Sequence, residues 1–490
     1  MGEKSIFSYI FKYRQHPLTI FNYITRGFWL LLIPLTRSLI AMKFNIAEWL
    51  KGAWLDILIV SIIFGFAFLR WFFISFIIEE EYIQTGTGYF GLLKSKIYYK
   101  EASSITCSQG AFLRLFRAYK INIDTNSNKR LFYKHNVTLI IKKSEFDKIY
   151  SIIKGHGEGL AKFSYQPKKT QLFIFSFLFS STISGVVLIA TLLYQGSRIV
   201  GREIEQQFLL DINNQVARFM TVNLPPITIA IVLVIVVGWL YSFLINLIRH
   251  WDFTAVRQGS NIIIQSGIIT RQINIIDINR INFIDTRQSF LMRMFKICSV
   301  HINCAGYGKS NEHISVLVPI TTNEEMLMSL KVLVPKIPRP TLTLRSRLLS
   351  ILSFLTTPIL VVALVPVAAY IVAWIFPEWE SIIMFMMMMF LIPGFWFIVV
   401  KFASIFTTGI GFHDGYATLS YCRFYSFHTV VVPIERISIA TTKQTVAQYF
   451  NKQCDLKIYV NSEKTSYHKV KNFPLKNVLE EFAEQGFDLR

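Results

Sequence analysis

Six apolar runs alternate with more polar stretches along the chain. They cover roughly 27–42, 55–78, 171–194, 226–248, 347–375 and 381–402. A bilayer core takes about 20 apolar residues as a helix, so five runs predict membrane spans, while the first is short and contains Arg37. Because the runs come in pairs, the pattern predicts three membrane hairpins, with buried helices of a large soluble core as the alternative.

A more polar block follows each hairpin, and the three blocks resemble one another. Each contains a glutamine, namely Gln109, Gln288 or Gln444, and the glutamines lie 179 and 156 positions apart. A short apolar and basic stretch follows each glutamine: Leu113-Arg-Leu-Phe-Arg117, Met292-Arg-Met-Phe-Lys296 and Gln448-Tyr-Phe-Asn-Lys452. The repeat indicates that one module, a hairpin followed by a globular block, is used three times.

Within the blocks, short β-branched stretches predict strands and the last residues predict a helix. The predicted strands of block two are Asn261–Ser266, Ile268–Ile273, Ser299–Asn303 and His313–Val318. The helix signals are an apolar stripe of Phe146, Ile149 and Ile153, a Thr322 capping box, and Pro474 before Val478 and Phe482. Each block is therefore expected to be a small β-barrel with a helix across one end, which gives an α+β membrane protein.

Composition and charge support a segregated chain. Hydrophobic residues make up 52% and charged residues only 17%, yet the net charge is +21. The connections within the hairpins (43–53, 196–224 and 376–380) carry only 5 of the 51 Lys and Arg residues. The positive-inside rule therefore predicts that both termini and all three blocks are cytoplasmic.

These patterns divide the chain into nine parts. They are a cytoplasmic N-terminal segment 1–24, hairpin 25–78, block 79–155, linker 156–169, hairpin 170–249, block 250–336, linker 337–346, hairpin 347–402 and block 403–490. The second hairpin includes segment 199–220 on the outer side, whose apolar residues recur about every four positions. That spacing predicts an amphipathic helix on the outer leaflet or over the hairpin tops.

Basic residues of block one are candidates for contact with anionic phospholipid headgroups. They are Lys94, Lys96, Lys100, Lys129, Arg130 and Lys134. The alternative is a solvated basic face. Nucleic acid is not an expected partner, because no aromatic platform interleaves these charges.

Three charged residues lie in or beside the apolar runs. Arg37, Asp56 and Arg70 are candidates for an intramembrane charge pair or a transport path. The alternative is that the two arginines extend to the interface. The repeat residues Gln109, Arg114, Gln288, Arg293 and Gln444 similarly form either a docking site or local structural bonds.

The sequence offers no catalytic constellation. It has no H-E-x-x-H, no phosphate-binding glycine loop and no G-x-S-x-G. The five cysteines lie in the predicted cytoplasmic blocks without C-x-x-C spacing, which favours free thiols. We therefore expect no cofactor, no metal site and no enzymatic activity.

The blocks resemble the bacterial pleckstrin-homology-like membrane proteins of the YdbS/YdbT type. The resemblance is carried by Ile276-Asp-Ile-Asn-Arg-Ile281 with Thr286-Arg-Gln-Ser289 in block two, and by Val432-Pro-Ile-Glu-Arg-Ile437 in block three. Lys296 occupies the position where the family pattern usually has Gly. The entry segment Arg14-Gln-His-Pro-Leu18 is similar to that of the longer, YdbT-like members.

This resemblance implies six transmembrane helices in three hairpins, each followed by a cytoplasmic pleckstrin-homology-like barrel, in the bacterial cell membrane. It implies a shorter one-block YdbS-like membrane partner in a hetero-oligomer. It further implies resistance or immunity to membrane-active antimicrobial peptides such as bacteriocins, which are then possible ligands. The alternative function is lipid handling or transport through a cavity between the hairpins.

Overall fold

The structure is a computed structural model that describes most of the chain, in two compact units. The described residues are 14–24, 46–87, 93–125, 137–155, 163–179, 226–304, 315–346, 351–461 and 466–487. Unit 1 comprises Met1–Lys162, Val256–Arg280 and Ala305–Lys309; unit 2 comprises Phe163–Ala255, Ile281–Cys304 and Ser310–Arg490.

The described strands are short, as the β-branched stretches predicted. They are β1 Phe76–Ile78, β2 Tyr82–Thr87, β3 Leu93–Tyr98, β4 Ala102–Gln109, β5 Ala118–Thr125, β6 Val137–Lys142, β7 Phe163–Tyr165, β8 Thr254–Gln258, β9 Asn261–Ser266, β10 Arg271–Asp277, β11 Ile281–Ser289, β12 Ile297–Cys304, β13 Val316–Thr322, β14 Leu344–Arg345, β15 Gly409–His413, β16 Tyr416–Arg423, β17 Ser426–Pro433, β18 Ile437–Lys443, β19 Gln453–Val460 and β20 Ser466–Pro474.

The described helices fall into long apolar helices and short helices within the blocks. They are α1 Thr19–Tyr23, α2 Ile46–Phe73, α3 Ala111–Leu115, α4 Lys143–Gly155, α5 Lys169–Leu178, α6 Pro226–His250, α7 Phe290–Met294, α8 Asn323–Leu333, α9 Ile351–Ile375, α10 Glu380–Ile405, α11 Val446–Phe450 and α12 Leu475–Glu484. Turns of 3-10 helix lie at Tyr99–Glu101, Ile278–Arg280, Pro377–Trp379 and Ile434–Arg436.

Three helical segments of the described residues are long and apolar enough to cross a membrane. They are Val232–His250, Ser353–Ile375 and Pro377–Ile405, and the apolar part of α2, Ile57–Phe73, is shorter. The predicted runs 226–248, 347–375 and 381–402 correspond to these three segments. Run 27–42 and most of run 171–194 lie outside the described residues.

In the first and third predicted hairpins, the segment that precedes the hairpin pairs with the segment that follows it. Arg14 forms an antiparallel bridge with Ser75 in unit 1, and β14 pairs with β15 in unit 2. In unit 1 the Trp71 indole N–H also donates to the Gln15 carbonyl at 2.9 Å. In unit 2 a Cβ at Gly411 would collide with the Thr341 carbonyl, so this close pairing requires glycine. The segments before and after each of these two predicted hairpins therefore lie next to each other.

In unit 1, two sheets pack face to face around an apolar core. One has the order β1-β2-β3, and the other contains the neighbours β6, β5, β4, β10 and β9. Both sheets and the closing helix α4 supply the buried core, which includes Ile83, Ile97, Ile105, Ile121, Ile141, Phe146, Ile149, Ile153 and Ile275. The predicted stripe of α4 is confirmed, because its three apolar residues are among them.

Unit 2 repeats this arrangement with block three. Its sheets have the orders β13-β12-β11-β17-β16-β15-β14 and β18-β19-β20. The core is supplied by β15–β17, by β18–β20 and by α12, and it includes Leu419, Val430, Leu456, Ile458, Phe473, Val478 and Phe482. The predicted starts of two helices are also confirmed. The Thr322 hydroxyl accepts from the Glu325 N–H in the first turn of α8, and α12 follows Pro474 directly.

Consecutive blocks are joined edge to edge, a feature that the sequence did not predict. Strand β4 of block one pairs antiparallel with β10 of block two in unit 1. Strand β11 of block two pairs antiparallel with β17 of block three in unit 2. Their sheets are therefore continuous between blocks. Strand β10 begins at Arg271, later than predicted, because Gly267 turns the chain with a φ of 94°.

The three repeat glutamines make the same structural hydrogen bond. Each donates its side-chain N–H to the carbonyl nine residues later: Gln109 to Ala118 at 3.2 Å, Gln288 to Ile297 at 3.0 Å and Gln444 to Gln453 at 2.7 Å. The bond ties the end of one strand to the start of the next, across a short helix. It accounts for glutamine at this position without a ligand.

Replacing Gln109 with leucine should destabilise unit 1 by about 1–3 kcal/mol, because the buried Ala118 carbonyl loses its side-chain donor. Thermal unfolding of the detergent-purified protein measures this as a lower midpoint. Gln265→Leu is the matched control, since Gln265 is exposed on β9 of the same unit. Equal midpoints for the two variants would contradict the structural role of Gln109.

Candidate membrane-contact site

A short helix follows each repeat glutamine: α3, α7 and α11. Each ends just before a basic residue with a left-handed backbone, namely Arg117 with φ 51°, Lys296 with φ 54° and Lys452 with φ 51°. This conformation favours glycine, yet all three positions hold a basic residue. The same turn is thus built three times at the end of the short helix.

Two of these helices lie beside the hairpin tip of the next block. In unit 1, the Arg114 guanidinium of α3 donates to the Ile268 carbonyl in the β9–β10 turn at 2.7 Å. In unit 2, the guanidinium of the equivalent Arg293 in α7 lies 5.3 Å from the Phe427 ring centroid, at the start of β17. The repeat arginines therefore hold a short helix and a hairpin tip together.

The side chains gathered at these two places are apolar and exposed. We call them apolar tip 1 (Phe112, Leu115, Phe116, Ile268 and Ile269) and apolar tip 2 (Leu291, Met294, Phe295, Phe424 and Tyr425). Leu115 is 76% exposed and Phe424 is 69% exposed. Clustered apolar side chains that remain accessible mark surfaces that contact another apolar phase.

Apolar tip 2 lies against the long apolar helix α10. The Phe290 ring beside it is 5.2 Å from the Trp396 ring, centroid to centroid. The Tyr425 hydroxyl donates to the Pro393 carbonyl at 3.1 Å, and its ring lies 5.2 Å from that of Phe397. These contacts place the tip along a segment that is apolar enough to cross a bilayer.

Lys401 is a reference point for the position of this contact along α10. Its ammonium group donates to the Cys422 carbonyl at 3.1 Å, on the last turns of the helix. A lysine near the end of an apolar helix places its charge at the water interface. Because a helix rises 1.5 Å per residue, positions 393–397 lie about 6–12 Å further along the axis. Apolar tip 2 therefore contacts the apolar part of α10 on the N-terminal side of Lys401.

Apolar tip 1 has a corresponding position in unit 1. The Phe112 ring lies 6.4 Å from the Phe21 ring of α1. Helix α1 in turn packs on the last turns of α2 through a cluster that contains Ile20, Ala67 and Trp71. Apolar tip 1 therefore lies beside α1, which packs on the last turns of α2, whereas apolar tip 2 contacts the middle of α10 directly. The third short helix, α11, exposes side chains of the same kind, including Phe450 at 78%.

The basic residues predicted to contact lipid are not gathered at the tips. Lys96 is exposed on β3, with its ammonium group 4.9 Å from the Tyr82 ring centroid. Lys100 is exposed, and its carbonyl accepts from Arg280 at 3.3 Å. The side chain of Lys94, and all of Lys129, Arg130 and Lys134, lie outside the described part. The repeat arginines Arg114 and Arg293 do lie at the tips.

Of the three charged residues in or beside the apolar runs, only Arg70 has a described side chain. Its guanidinium lies 4.5 Å from the Tyr23 ring centroid. Arg37, the side chain of Asp56 and segment 199–220 lie outside the described part. The intramembrane charge pair and the outer amphipathic helix therefore stay predictions.

A buried polar cluster crosses the β11–β17 pairing in unit 2. The Asp285 carboxylate accepts from the Arg287 guanidinium at 2.6 Å and lies 3.1 Å from Nδ1 of His428. The Tyr421 ring stacks on His428, and its hydroxyl lies 2.8 Å from Nδ1 of His468. The cluster therefore links blocks two and three by side chains as well as by backbone bonds.

Burial and charge together set the protonation of this cluster. Burial alone would raise the pKa of the Asp285 carboxyl, but the hydrogen bond with His428 and the neighbouring Arg287 hold it well below its usual value. Burial lowers the pKa of His468 to about 4 and that of His301 well below its ordinary value. Both histidines are therefore neutral at pH 7.

Sequence reasoning missed this cluster and the tips. Asp285 lies in the repeat motif, but His428 is 143 positions away and the scattered histidines gave no spacing signal. The five cysteines are free, as predicted, and four of them are buried. Among the described residues, no group of three or more His, Cys, Asp or Glu could hold a metal ion.

Comparison with known families identifies part of the chain. The family model described as "Bacterial PH domain" matches residues 31–156 and 183–330, which is more than half of the sequence. No curated protein matches the chain.

Replacing His468 with asparagine should make unit 2 less sensitive to acid. Unfolded histidine binds a proton below about pH 6.5, whereas folded His468 does so only near pH 4. Wild-type stability therefore falls by about 1.4 kcal/mol per pH unit between these values, and the variant lacks this contribution. Thermal midpoints at pH 7.5 and 5 measure the difference.

His413→Asn is the matched control for this prediction, because His413 is an exposed histidine of the same unit. A His468→Asn protein whose midpoint falls with pH as steeply as wild type would contradict the assignment.

Proposed function

The chain belongs to the bacterial PH domain family, and from that premise we propose that it is a non-enzymatic, multipass protein of the bacterial cell membrane. In this proposal, three hairpins of six helices hold three PH-like blocks against the cytoplasmic face. Support comes from the three long apolar segments, from the side-by-side ends of two hairpins, and from the bias of Lys and Arg towards the blocks.

The observation that carries the proposal is the position of apolar tip 2 against Pro393–Phe397 of α10. At this depth the exposed side chains of the tip face acyl chains and not water. Transfer of apolar surface out of water contributes about 25 cal/mol per Å². Each basic residue beside a tip adds about 1 kcal/mol where the lipid headgroups are anionic. The blocks are thus bound to the bilayer by their tips as well as by the hairpins.

We further propose that this membrane-bound protein acts in a complex that protects the cell against membrane-active antimicrobial peptides. A basic protein layer on the inner leaflet repels cationic peptides, and tips inserted among the lipids occupy the interfacial space that such peptides need. The resemblance to the YdbT-like members supports this role, and it supports a shorter one-block partner in the complex. The mechanism requires assembly and lipid contact without turnover.

The first prediction of this proposal concerns depth. A nitroxide label on Phe424→Cys should be more accessible to oxygen than to a water-soluble nickel chelate, because position 424 lies at the depth of the acyl chains. Power-saturation EPR on the full chain in lipid vesicles measures both accessibilities, with the signal of labelled wild type subtracted.

Asp414→Cys supplies the matched control, because Asp414 lies in the β15–β16 turn and is exposed. Its label should be more accessible to the chelate. The same preference for the chelate at position 424 would show that apolar tip 2 lies in water and would remove the main support for the proposal.

The second prediction concerns protection. Cells that lack the gene should be more sensitive to cationic pore-forming peptides, and a Phe295→Glu, Phe424→Glu variant should fail to restore resistance. Two carboxylates at the tip oppose insertion among lipids. Growth inhibition across a peptide panel measures this, with variant abundance in the membrane checked by blotting.

The control here is Asp414→Asn, which changes charge at an exposed hairpin turn away from the tip and should restore resistance fully. Unchanged sensitivity in the deletion strain across the panel would overturn the protective role while leaving the membrane position of the tips untouched.

A further inference from the structure

The three blocks share one strand–turn–strand unit. A strand leads into a single 3-10 turn and then into the strand that ends with the repeat glutamine. The three units are β3, Tyr99–Glu101 and β4; β10, Ile278–Arg280 and β11; and β17, Ile434–Arg436 and β18. Strands β3, β10 and β17 are therefore equivalent, and so are β4, β11 and β18.

Equivalent strands pair across both junctions between blocks in the same register. Ile105 of β4 lies opposite Ile275 of β10. Ile284 of β11 lies opposite Val431 of β17. Ile284 lies 179 positions after Ile105, and Val431 lies 156 positions after Ile275. These are the spacings of the repeat glutamines, so the two junctions have the same register. The contact is thus a repeated property of these two strand types and not an accident of one junction.

Among the described strands, one of the first type, β3, and one of the second type, β18, have no such partner. Strand β3 is the last strand of the sheet β1-β2-β3, and β18 is the first strand of the sheet β18-β19-β20. No described strand pairs with the outer edge of either one. An open edge presents backbone donors and acceptors that can template pairing with another chain.

Side-chain exposure distinguishes the covered strands from the uncovered one. Ile439 of β18 is 56% exposed, whereas the equivalent residues Phe283 of β11 and Ser104 of β4 are 7% and 1% exposed. An apolar β-branched residue at an open edge gains stabilisation from a covering strand. Strand β18 also lacks the proline that natural proteins use to block edges.

We propose that β18 of one copy of this chain pairs antiparallel with β3 of a second copy, in the register of the two internal junctions. Carried over by the repeat spacing, this register places Lys96 opposite Ala440, Ser95 opposite Thr441 and Ile97 opposite Ile439. The second copy is the occupant because the chain itself supplies both edges, and each edge already fits its complement twice within one molecule. This inference stands independently of the protective role.

Such a contact is head to tail, because different strands of the two copies meet. Repetition of a head-to-tail contact generates a closed ring if the rotation closes and a chain of copies if it does not. In a membrane, all copies share one orientation, which restricts repetition to the plane of the bilayer. The assembly then carries an unbroken series of blocks along the inner leaflet.

Cysteine cross-linking in native membranes tests the register directly. Two differently tagged full-length chains are co-expressed, one with Lys96→Cys and one with Ala440→Cys, and oxidised with copper phenanthroline. The expected result is a reducible shift from monomer to dimer mass that carries both tags. Hydrogen-bonded and wider-spaced pairs alternate in an antiparallel ladder, so Ser95→Cys with Thr441→Cys is tested alongside.

The matched control is Lys96→Cys with Thr441→Cys, which should give no product because a shift of one residue turns the two side chains to opposite faces. Each single variant alone controls for the native cysteines. Cross-linking of neither in-register pair, in membranes where all variants accumulate, would overturn the proposal. So would cross-linking of either position to a different, smaller protein.

A second variant checks that the exposed edge residue contributes. Ile439→Lys places a charge in the proposed contact and should abolish the Lys96→Cys, Ala440→Cys product. Tyr467→Lys, at an exposed aromatic position on β20 at the other edge of the same sheet, should retain it. Retention of the product in Ile439→Lys would show that β18 is not covered by β3.

Discussion

Antiparallel backbone hydrogen bonds between β4 and β10, and between β11 and β17, are the interactions on which the described architecture depends. Each joins the second sheet of one block to the first sheet of the next, so consecutive blocks form continuous sheets. The bonds fix the register, and the register brings a short helix of one block beside a hairpin tip of the following block. Without this pairing, the apolar side chains of those two elements would lie apart.

The apolar tips follow from that register and from the hairpins. The repeat glutamine ties the strand ends on both sides of the short helix, and the left-handed basic residue directs the chain back into the sheet. The exposed face of the helix is then apolar, with arginine and lysine beside it; in unit 2 it lies next to the middle of the long apolar helix α10. A soluble domain would not leave such a surface in water, but a domain that lies against a bilayer gains from it.

Local features of the fold were predictable from the sequence, because they depend on neighbouring residues. The stripe of α4, the Thr322 cap of α8 and the start of α12 after Pro474 each arise from contacts within a few positions. The junctions were not predictable, because backbone bonds between strands carry no side-chain signature. The pairing of Asp285 with His428 likewise depends on a contact across 143 positions.

The apolar tips could not be predicted from the sequence for a different reason. The stretches after Gln109 and Gln288 were recognisable as a repeat, but apolar residues at such spacing ordinarily lie in a core. Only the structure shows that Leu115, Met294 and Phe295 are exposed. Repetition in sequence therefore indicated that these residues matter, while their three-dimensional surroundings indicate what they contact.

Electron cryomicroscopy of the protein in lipid nanodiscs tests the central claim most directly. The account predicts sheets continuous from β4 to β10 and from β11 to β17, with Phe295 and Phe424 inside the lipid density beside Trp396. A map in which each block closes separately, or in which these two side chains lie clear of the lipid, would contradict it.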